Sequence, residues 1–319
     1  MTRKGGSITN QVNLMLEKSG MVHIDEGFHR HDERDAFIDT HGRNPTPQER
    51  SSFGIYDGAT FEKYKAAYKQ LGEFCKAEFG IQKLRQIEPE HIKAFIVHKI
   101  EDAYTGKNGH IYDGVSQNTA NNYIKAFSKM DDMMNRAFTN VDKDFSGVCK
   151  ECYEYARAVA SPPDTETRAF NNPQAVIENI TDPRSRLIAE IQLATGLRVS
   201  DASFIRLNPD GESIAIRSKG GYRISEYKLP AGLYAKVAEM AGGADKIRLN
   251  SYSNYINDLK DACARAGESY TGSHAFRHNY AKASYENHIS EGMSSKESAY
   301  AVSEELFHHR EEIVGHYLR

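Results

Sequence analysis

Ala194-Thr195-Gly196-Leu197-Arg198-Val199-Ser200-Asp201 is the stretch on which the reading of this 319-residue chain turns. Ahead of it, Leu187, Ile188, Ile191 and Ala194 recur at helical spacing and form one apolar face. Gly196 is the residue type that ends a helix in left-handed backbone, and another helix starts just after it. Arg198 therefore stands at a junction, where a guanidinium lies beside the unpaired N–H groups of the new helix, a suitable place for an anion. Taken alone this is a weak signal, because a surface arginine at a turn is common.

Upstream, Asn172-Pro173 and Asp182-Pro183 each set a capping residue before a proline at the first helical position. Downstream the period changes. Ile214 and Ile216 alternate with polar residues, Ser218-Lys219-Gly220-Gly221 turns, and Ile224 to Leu229 returns, which predicts a β-hairpin with Lys219 at its tip. A lysine there is either solvated or projects from a stiff support, where it can protonate a leaving oxygen or hold a phosphate. Helical spacing resumes at Ile256, Leu259, Cys263 and Ala266, and Gly267 ends it. Helices are expected over 274–286 and 295–307, with a last short one carrying Tyr317.

His274-Ala275-Phe276-Arg277-His278 places His274 beside both Arg277 and His278 on a helix. Two histidines four apart can also bind zinc. The hydrolytic zinc motif has glutamate after the first histidine, where this chain has Ala275, and no third ligand is set nearby, so no metal is expected. A histidine–arginine pair suits phosphate chemistry: a fork of donors with a group that moves a proton. Leu306-Phe307-His308-His309 then precedes Tyr317. Tyrosine is a poor nucleophile at neutral pH, its phenol pKa being about 10. Flanking cations that stabilise both a phenolate and a pentavalent phosphorus centre make it a usable one.

Residues 160–171, Ala-Ser-Pro-Pro-Asp-Thr-Glu-Thr-Arg-Ala-Phe-Asn, have linker composition, and the domain boundary is expected there. The preceding region, 56–159, reads as helices. Phe61, Tyr64, Tyr68, Leu71 and Cys75 line one face, with Thr60 placed to cap it and Gly80 to end it. Ile92, Phe95, Ile96 and Ile100 follow Glu88-Pro89 as a second face. Ala120, Tyr123, Phe127, Met130 and Met134 make a third on a helix over 116–135 with Ser116 near its cap, and a shorter helix covers Cys149 to Val159. The aromatic stripes suit a core better than base-stacking platforms. Asn121, Asn122, Lys125 and Lys129 fall off the apolar stripe of the third helix; they form either a major-groove face or an ordinary solvated one.

Residues 1–55 read as a polar, irregular extension holding one amphipathic stretch, Ser7 to Lys18, with Val12, Leu14, Met15 and Leu16. Its His- and acid-rich run, His23, Asp25, Glu26, His29, His31, Asp32 and Glu33, has no sharp ligand spacing and reads as a solvated arm or loop. Nothing approaches the roughly 18 consecutive apolar residues of a membrane span. No apolar signal core follows the basic Met1-Thr2-Arg3-Lys4, so a cytoplasmic protein is expected. Of four cysteines, Cys149 and Cys152 form a lone CxxC without the second pair of a zinc ribbon. Reduced thiols are expected, with Cys75 and Cys263 on helix core faces. The net charge of −3 means that a nucleic-acid partner requires positive charge sorted onto one face.

Each of these features is weak singly, but their order is specific: Arg198, Lys219, His274, Arg277, His308, Tyr317. The order resembles the tyrosine recombinase (λ-integrase-like, phage integrase) family. The matching pieces are Ala194 to Asp201, the hairpin Ser218-Lys219-Gly220, the His274-x-x-Arg277-His278 box, and Val302-Ser303-Glu304-Glu305-Leu306-x-His308 with Tyr317 nine residues later. The resemblance covers about 173–319. Residues 56–159 look like the family's core-binding domain in pattern only, and 1–55 like the arm region of some integrases. It departs from the family at Phe307, where glycine is usual, with His309 offering a donor one position off. After Tyr317 come Leu318 and Arg319, where many relatives carry a longer tail that docks on a neighbouring subunit.

The resemblance implies a mainly α fold with a small antiparallel β-sheet in the C-terminal domain, 172–319, and two domains forming a C-shaped clamp around DNA. It implies that Arg198 and Arg277 hold the scissile phosphate, that Lys219 protonates the leaving 5′ oxygen, and that His274 assists proton transfer. His308 would bond the phosphate, and Asp201 would brace Arg198 or cap its helix. Tyr317 would form a 3′-phosphotyrosyl link that a partner strand's hydroxyl reverses, with neither cofactor nor metal. The implied partners are double-stranded DNA with a specific recombination site, three further copies in a tetramer on DNA (a monomer or weak oligomer when free) and an accessory DNA-bending protein. The implied setting is a mobile genetic element, with the protein at the nucleoid when bound. Two rival readings share the residues: DNA relaxation of the type IB topoisomerase kind, and a non-catalytic DNA-binding protein that kept the fold.

Overall fold

The computed structural model describes residues 6–24, 30–46, 49–105, 109–162, 167–217, 223–307 and 314–318. The chain divides into two compact units, Met1–Asp164 and Thr165–Arg319. It is mainly α with a small antiparallel sheet in the second unit.

The first unit is built from helices α1 (Ile8–Lys18), α2 (Arg30–His41), α3 (Gly58–Phe79) and α4 (Pro89–Glu101), the two-stranded ribbon β1 (Tyr104–Thr105) and β2 (Ile111–Tyr112), and helices α5 (Gln117–Phe127), α6 (Met130–Ala137) and α7 (Ser146–Val159). Its core takes residues of the expected faces of α3, α4 and α5: Tyr68, Leu71 and Cys75, then Ile92, Phe95 and Ile96, then Ala120 and Phe127; Ile124 joins them, and the expected Tyr123 is only partly buried. The buried Tyr68 hydroxyl is satisfied by the Ala126 carbonyl, 2.9 Å away. Cys149 and Cys152 are buried here too, and burial pushes the Cys149 thiol up to about 12, so it stays protonated and inert.

Three local expectations are corrected. Asp57, not Thr60, caps α3: its carboxylate accepts from the Thr60 N–H at 2.8 Å and the Thr60 hydroxyl at 2.9 Å. The single helix expected over 116–135 is two, α5 and α6, broken at Ser128 and Lys129; the Ser128 hydroxyl bonds back to the Lys125 carbonyl at 3.0 Å. The expected N-terminal extension also contributes to this core. Ile8, Val12, Met15 and Leu16 of α1 are all buried in it. Gly72 of α3 admits α1 closely, since a Cβ there would meet the Ile8 side chain at 2.6 Å.

The second unit runs α8 (Pro173–Glu178), α9 (Pro183–Thr195), α10 (Val199–Ser203), β3 (Phe204–Leu207), β4 (Ser213–Arg217), β5 (Arg223–Lys228), α11 (Ala231–Ala241), β6 (Lys246–Arg248), α12 (Tyr252–Ala266), α13 (Ala275–Ser290) and α14 (Ser295–Glu305). The sheet order is β5-β4-β3-β6, antiparallel throughout. Ile205, Ile214 and Ile216 turn inward on it, as period-two alternation requires. They share a core with Leu187, Ile188 and Ile191 of α9 and Tyr255, Leu259 and Cys263 of α12. Asn172 and Asp182 cap α8 and α9 through the Ala175 and Ser185 N–H groups. A smaller cluster joins α13 to α14: Ala281, Val302, Leu306 and Val314 are buried, with Tyr280, Tyr317 and Leu318 packed against them. Among the described residues, no helix is long and apolar enough to cross a membrane.

Candidate active site

The end of α9 begins the site. Gly196 has φ +66° and closes the helix through its N–H to the Gln192 carbonyl. A Cβ on Gly196 would meet the Tyr280 ring at 2.5 Å and Leu306 at 2.7 Å. Only glycine satisfies both the backbone and the packing, and the result brings α9, α13 and the end of α14 together at one carbonyl. The next turn exposes little of Arg198: its side chain is 14% accessible and lies 3.9 Å from the buried Asp201 carboxylate, which also accepts from the Ser200 hydroxyl at 3.0 Å. Arg198 occupies the N-cap position of α10.

Arg277 lies in the first turn of α13 and is completely buried. One terminal nitrogen donates to the Gly196 carbonyl and the other to the Leu306 carbonyl at 2.7 Å. Its Nε donates to the Tyr317 hydroxyl at 3.2 Å, and its guanidinium carbon stands 5.4 Å from the centre of the Tyr317 ring. Burial lowers the Arg277 pKa, the Tyr317 oxygen opposes that shift, and the positive charge of Arg198 adds to it. The two arginines therefore feel each other, and an anion between them relieves both the repulsion and the burial cost.

His278 completes the seat of Tyr317. The two rings are 4.7 Å apart and tilted by 46°. Burial pushes the His278 pKa down to about 4, against a hydrogen bond to the Tyr317 backbone, so the imidazole is neutral at physiological pH. His274 is the half-buried N-cap of α13, one turn from His278, and its carbonyl accepts the His278 N–H at 3.0 Å.

The fold thus brings together Arg198, Asp201, Arg277 and Tyr317, and sets His274 at the start of the helix that carries Arg277. Lys219 at the hairpin tip, and His308 with its neighbour His309, lie outside the described residues, as do Asp25, Glu26 and His29 of the N-terminal run. Among the described residues, no group of three or more His, Cys, Asp or Glu side chains is arranged to hold a metal ion.

Phe307 explains its own departure from the pattern. It has φ +55°, the left-handed backbone that glycine adopts without strain. Its ring packs on the second unit's core, edge-on to Tyr227 at 5.9 Å.

Two positioning groups were missed in the sequence. Gln192 is fully buried; its amide nitrogen donates to the Leu197 and Ser273 carbonyls, each at 3.2 Å, and its oxygen accepts from the Tyr255 hydroxyl at 2.7 Å. It ties the residue before Arg198 to the residue before His274. Glu305 similarly ties α14 to α13. A glutamine inside an apolar helix face was the only available signal for the first.

In the first unit, Asn122 and Lys125 are exposed on α5, and Asn121 is half-buried with its carbonyl oxygen lacking a hydrogen-bond partner. The Lys129 ammonium donates to the carbonyls of Arg50, Ser51 and Phe53 at 3.1, 2.6 and 2.6 Å and so pins the 50–53 turn. Lys125 lines an open cavity of about 1050 Å³ with Arg50, Lys143 and Lys150, and Asp131 and Asp144 line it as well.

Among solved structures, the chain is similar to one titled "Crystal structure of XerA recombinase" at 13% identity, over 97% of this chain and 93% of that one, with a TM-score of 0.37. No family model matches the chain, and no curated protein matches it.

Proposed function

We propose that this protein breaks and rejoins DNA strands by transesterification, with Tyr317 as the nucleophile, in the manner of a tyrosine recombinase. The observation that carries this reading is the hydrogen bond from the buried Arg277 Nε to the Tyr317 hydroxyl. A phosphate drawn to that guanidinium would lie within reach of the hydroxyl, which is the proximity that attack requires. The ordered motifs around Arg198, His274 and Tyr317 support the same reading.

In this reaction the Tyr317 oxygen attacks phosphorus, and the bond to the 5′ oxygen breaks. The tyrosine proton leaves through His274, and a proton from Lys219 goes to the leaving 5′ oxygen. Arg198 and Arg277 neutralise the nonbridging oxygens as charge builds in the pentavalent centre, with His308 as a further donor. Asp201 holds Arg198 in place. A partner strand's 5′ hydroxyl then attacks the 3′-phosphotyrosyl bond and regenerates the tyrosine. The ester is conserved at each step, so the exchange needs no nucleotide, and the cations take the place of a metal.

The substrate is duplex DNA carrying a recombination site. Four copies assemble on two duplexes, with an accessory DNA-bending protein where the site requires one. Asn122 and Lys125 of α5 are the groove-facing candidates, and Lys150 is a candidate phosphate contact.

A nicked duplex that traps the cleaved intermediate tests the reading. Wild-type protein should form a protein–DNA species stable to boiling in detergent, and Tyr317→Phe should form none. An adduct of equal yield from Tyr317→Phe overturns it. Four-way-junction products separate recombination from relaxation of supercoils alone.

A further inference from the structure

The carboxylate of Glu305 is the acceptor for a row of donors on α13. Its Oε2 takes hydrogen bonds from the Tyr280 hydroxyl at 2.9 Å and the Ser284 hydroxyl at 2.5 Å, and its Oε1 faces His288 Nε2 at 2.8 Å. Tyr280, Ser284 and His288 are spaced by four, so they form one stripe along the helix. Glu305 is the last residue of α14, directly before Leu306.

That position matters because of what lies on either side. The Leu306 carbonyl holds one terminal nitrogen of Arg277. The Tyr280 ring and the Leu306 side chain both press on Gly196, and the Gly196 carbonyl holds the other. Glu305 therefore grips the same Tyr280 and precedes the same Leu306 that together frame the guanidinium. All three donors come from the helix that carries Arg277 itself.

From this geometry we infer that Glu305 is a positioning residue, acting through Leu306 and Tyr280 to hold Arg277 in the orientation that meets Tyr317 and the phosphate. The phosphate part of this inference rests on the proposed function; the orientation of Arg277 does not. A partly exposed carboxylate accepting three side-chain bonds is more than packing requires at a helix end, where solvent can satisfy the same groups. The side-chain bonds of Glu305 go to Tyr280, Ser284 and His288, so its effect falls on the geometry of the step and leaves DNA affinity alone.

Two measurements on the full chain test this. The first is single-turnover cleavage of a nicked duplex at saturating DNA, with affinity measured separately. Glu305→Ala should cleave about 10- to 100-fold more slowly, with Kd within about twofold of wild type. Glu305→Gln, which keeps the acceptor oxygen and the shape, should recover most of the rate. The second is the ¹⁵N resonance of Arg277 Nε–H, which should exchange slowly with water in the wild type and much faster in Glu305→Ala. If Glu305→Ala unfolds, Tyr280→Phe removes one oxygen and should speed the same exchange. A wild type that forms no adduct overturns the functional reading alone. Wild-type cleavage by Glu305→Ala, or an unchanged Arg277 exchange rate in the folded variant, overturns the positioning role.

Discussion

The Arg277 guanidinium donates through Nε to the Tyr317 hydroxyl at 3.2 Å while its two terminal nitrogens hold the carbonyls of Gly196 and Leu306. One buried cation thus fixes two backbone turns and faces the candidate nucleophile. Lysine cannot reproduce a planar fork with three directions. Arg277→Lys should lower the rate of adduct formation by at least about 100-fold and cost about 2–3 kcal/mol of stability through the carbonyls it leaves unmet. Single-turnover cleavage and denaturant unfolding measure the two effects.

His278 gives a pH dependence with a definite sign. Its pKa is pushed down to about 4 in the folded protein and is near 6.5 in the unfolded chain. Above pH 6.5 both states hold it neutral, and it adds no pH dependence. Below 6.5 the unfolded chain takes up a proton that the folded site refuses, so stability falls until about pH 4, by up to about 3 kcal/mol. Unfolding free energies at pH 7 and pH 4 should show a drop in wild type that is smaller by this amount in His278→Phe.

At Phe307 the backbone and the side chain make opposing demands. Removing the ring forfeits its packing against Tyr227 in either variant, but only glycine is at ease at φ +55°. Phe307→Gly should therefore be more stable than Phe307→Ala by about 1 kcal/mol. Urea midpoints of the two variants settle the order.

Lys129 separates a structural cation from a groove-facing one. Lys129→Met should destabilise the protein by about 1–3 kcal/mol, because three carbonyls lose their donor. The slope of log K against log salt for DNA binding should not change. Lys125→Met should do the reverse: little loss of stability, weaker binding and a shallower slope. Chemical denaturation and salt-dependent titrations of duplex DNA measure both.

These cases also mark what could be read from the sequence. Asn172, Asp182 and Gly196 obey local rules that act within one turn, and the structure has all three where those rules put them. The β4–β5 hairpin was visible because Ile214 and Ile216 alternate over a long enough run. Strands β3 and β6 were not seen: three or four residues carry no period, and they exist only because β4 and each other complete their hydrogen bonds. Helix α1 looked like part of a polar arm because its partner, the notch at Gly72, is far away in sequence. Lys129 read as a groove-facing or solvated lysine because its three acceptors are some 76 to 79 residues distant. The motif residues Arg198, His274, Arg277 and Tyr317 are legible by type and order. Gln192 and Glu305, which hold the turns around them, have partners that only the folded chain supplies.

The most direct measurement is the identity of the residue bonded to DNA. After cleavage of a nicked duplex, the adduct is digested with protease and nuclease, and the nucleotide-bearing peptide is sequenced by mass spectrometry. The account predicts one modified residue, Tyr317, joined to a 3′-phosphate. A nucleotide on another residue, or a joint through a 5′-phosphate, would contradict it.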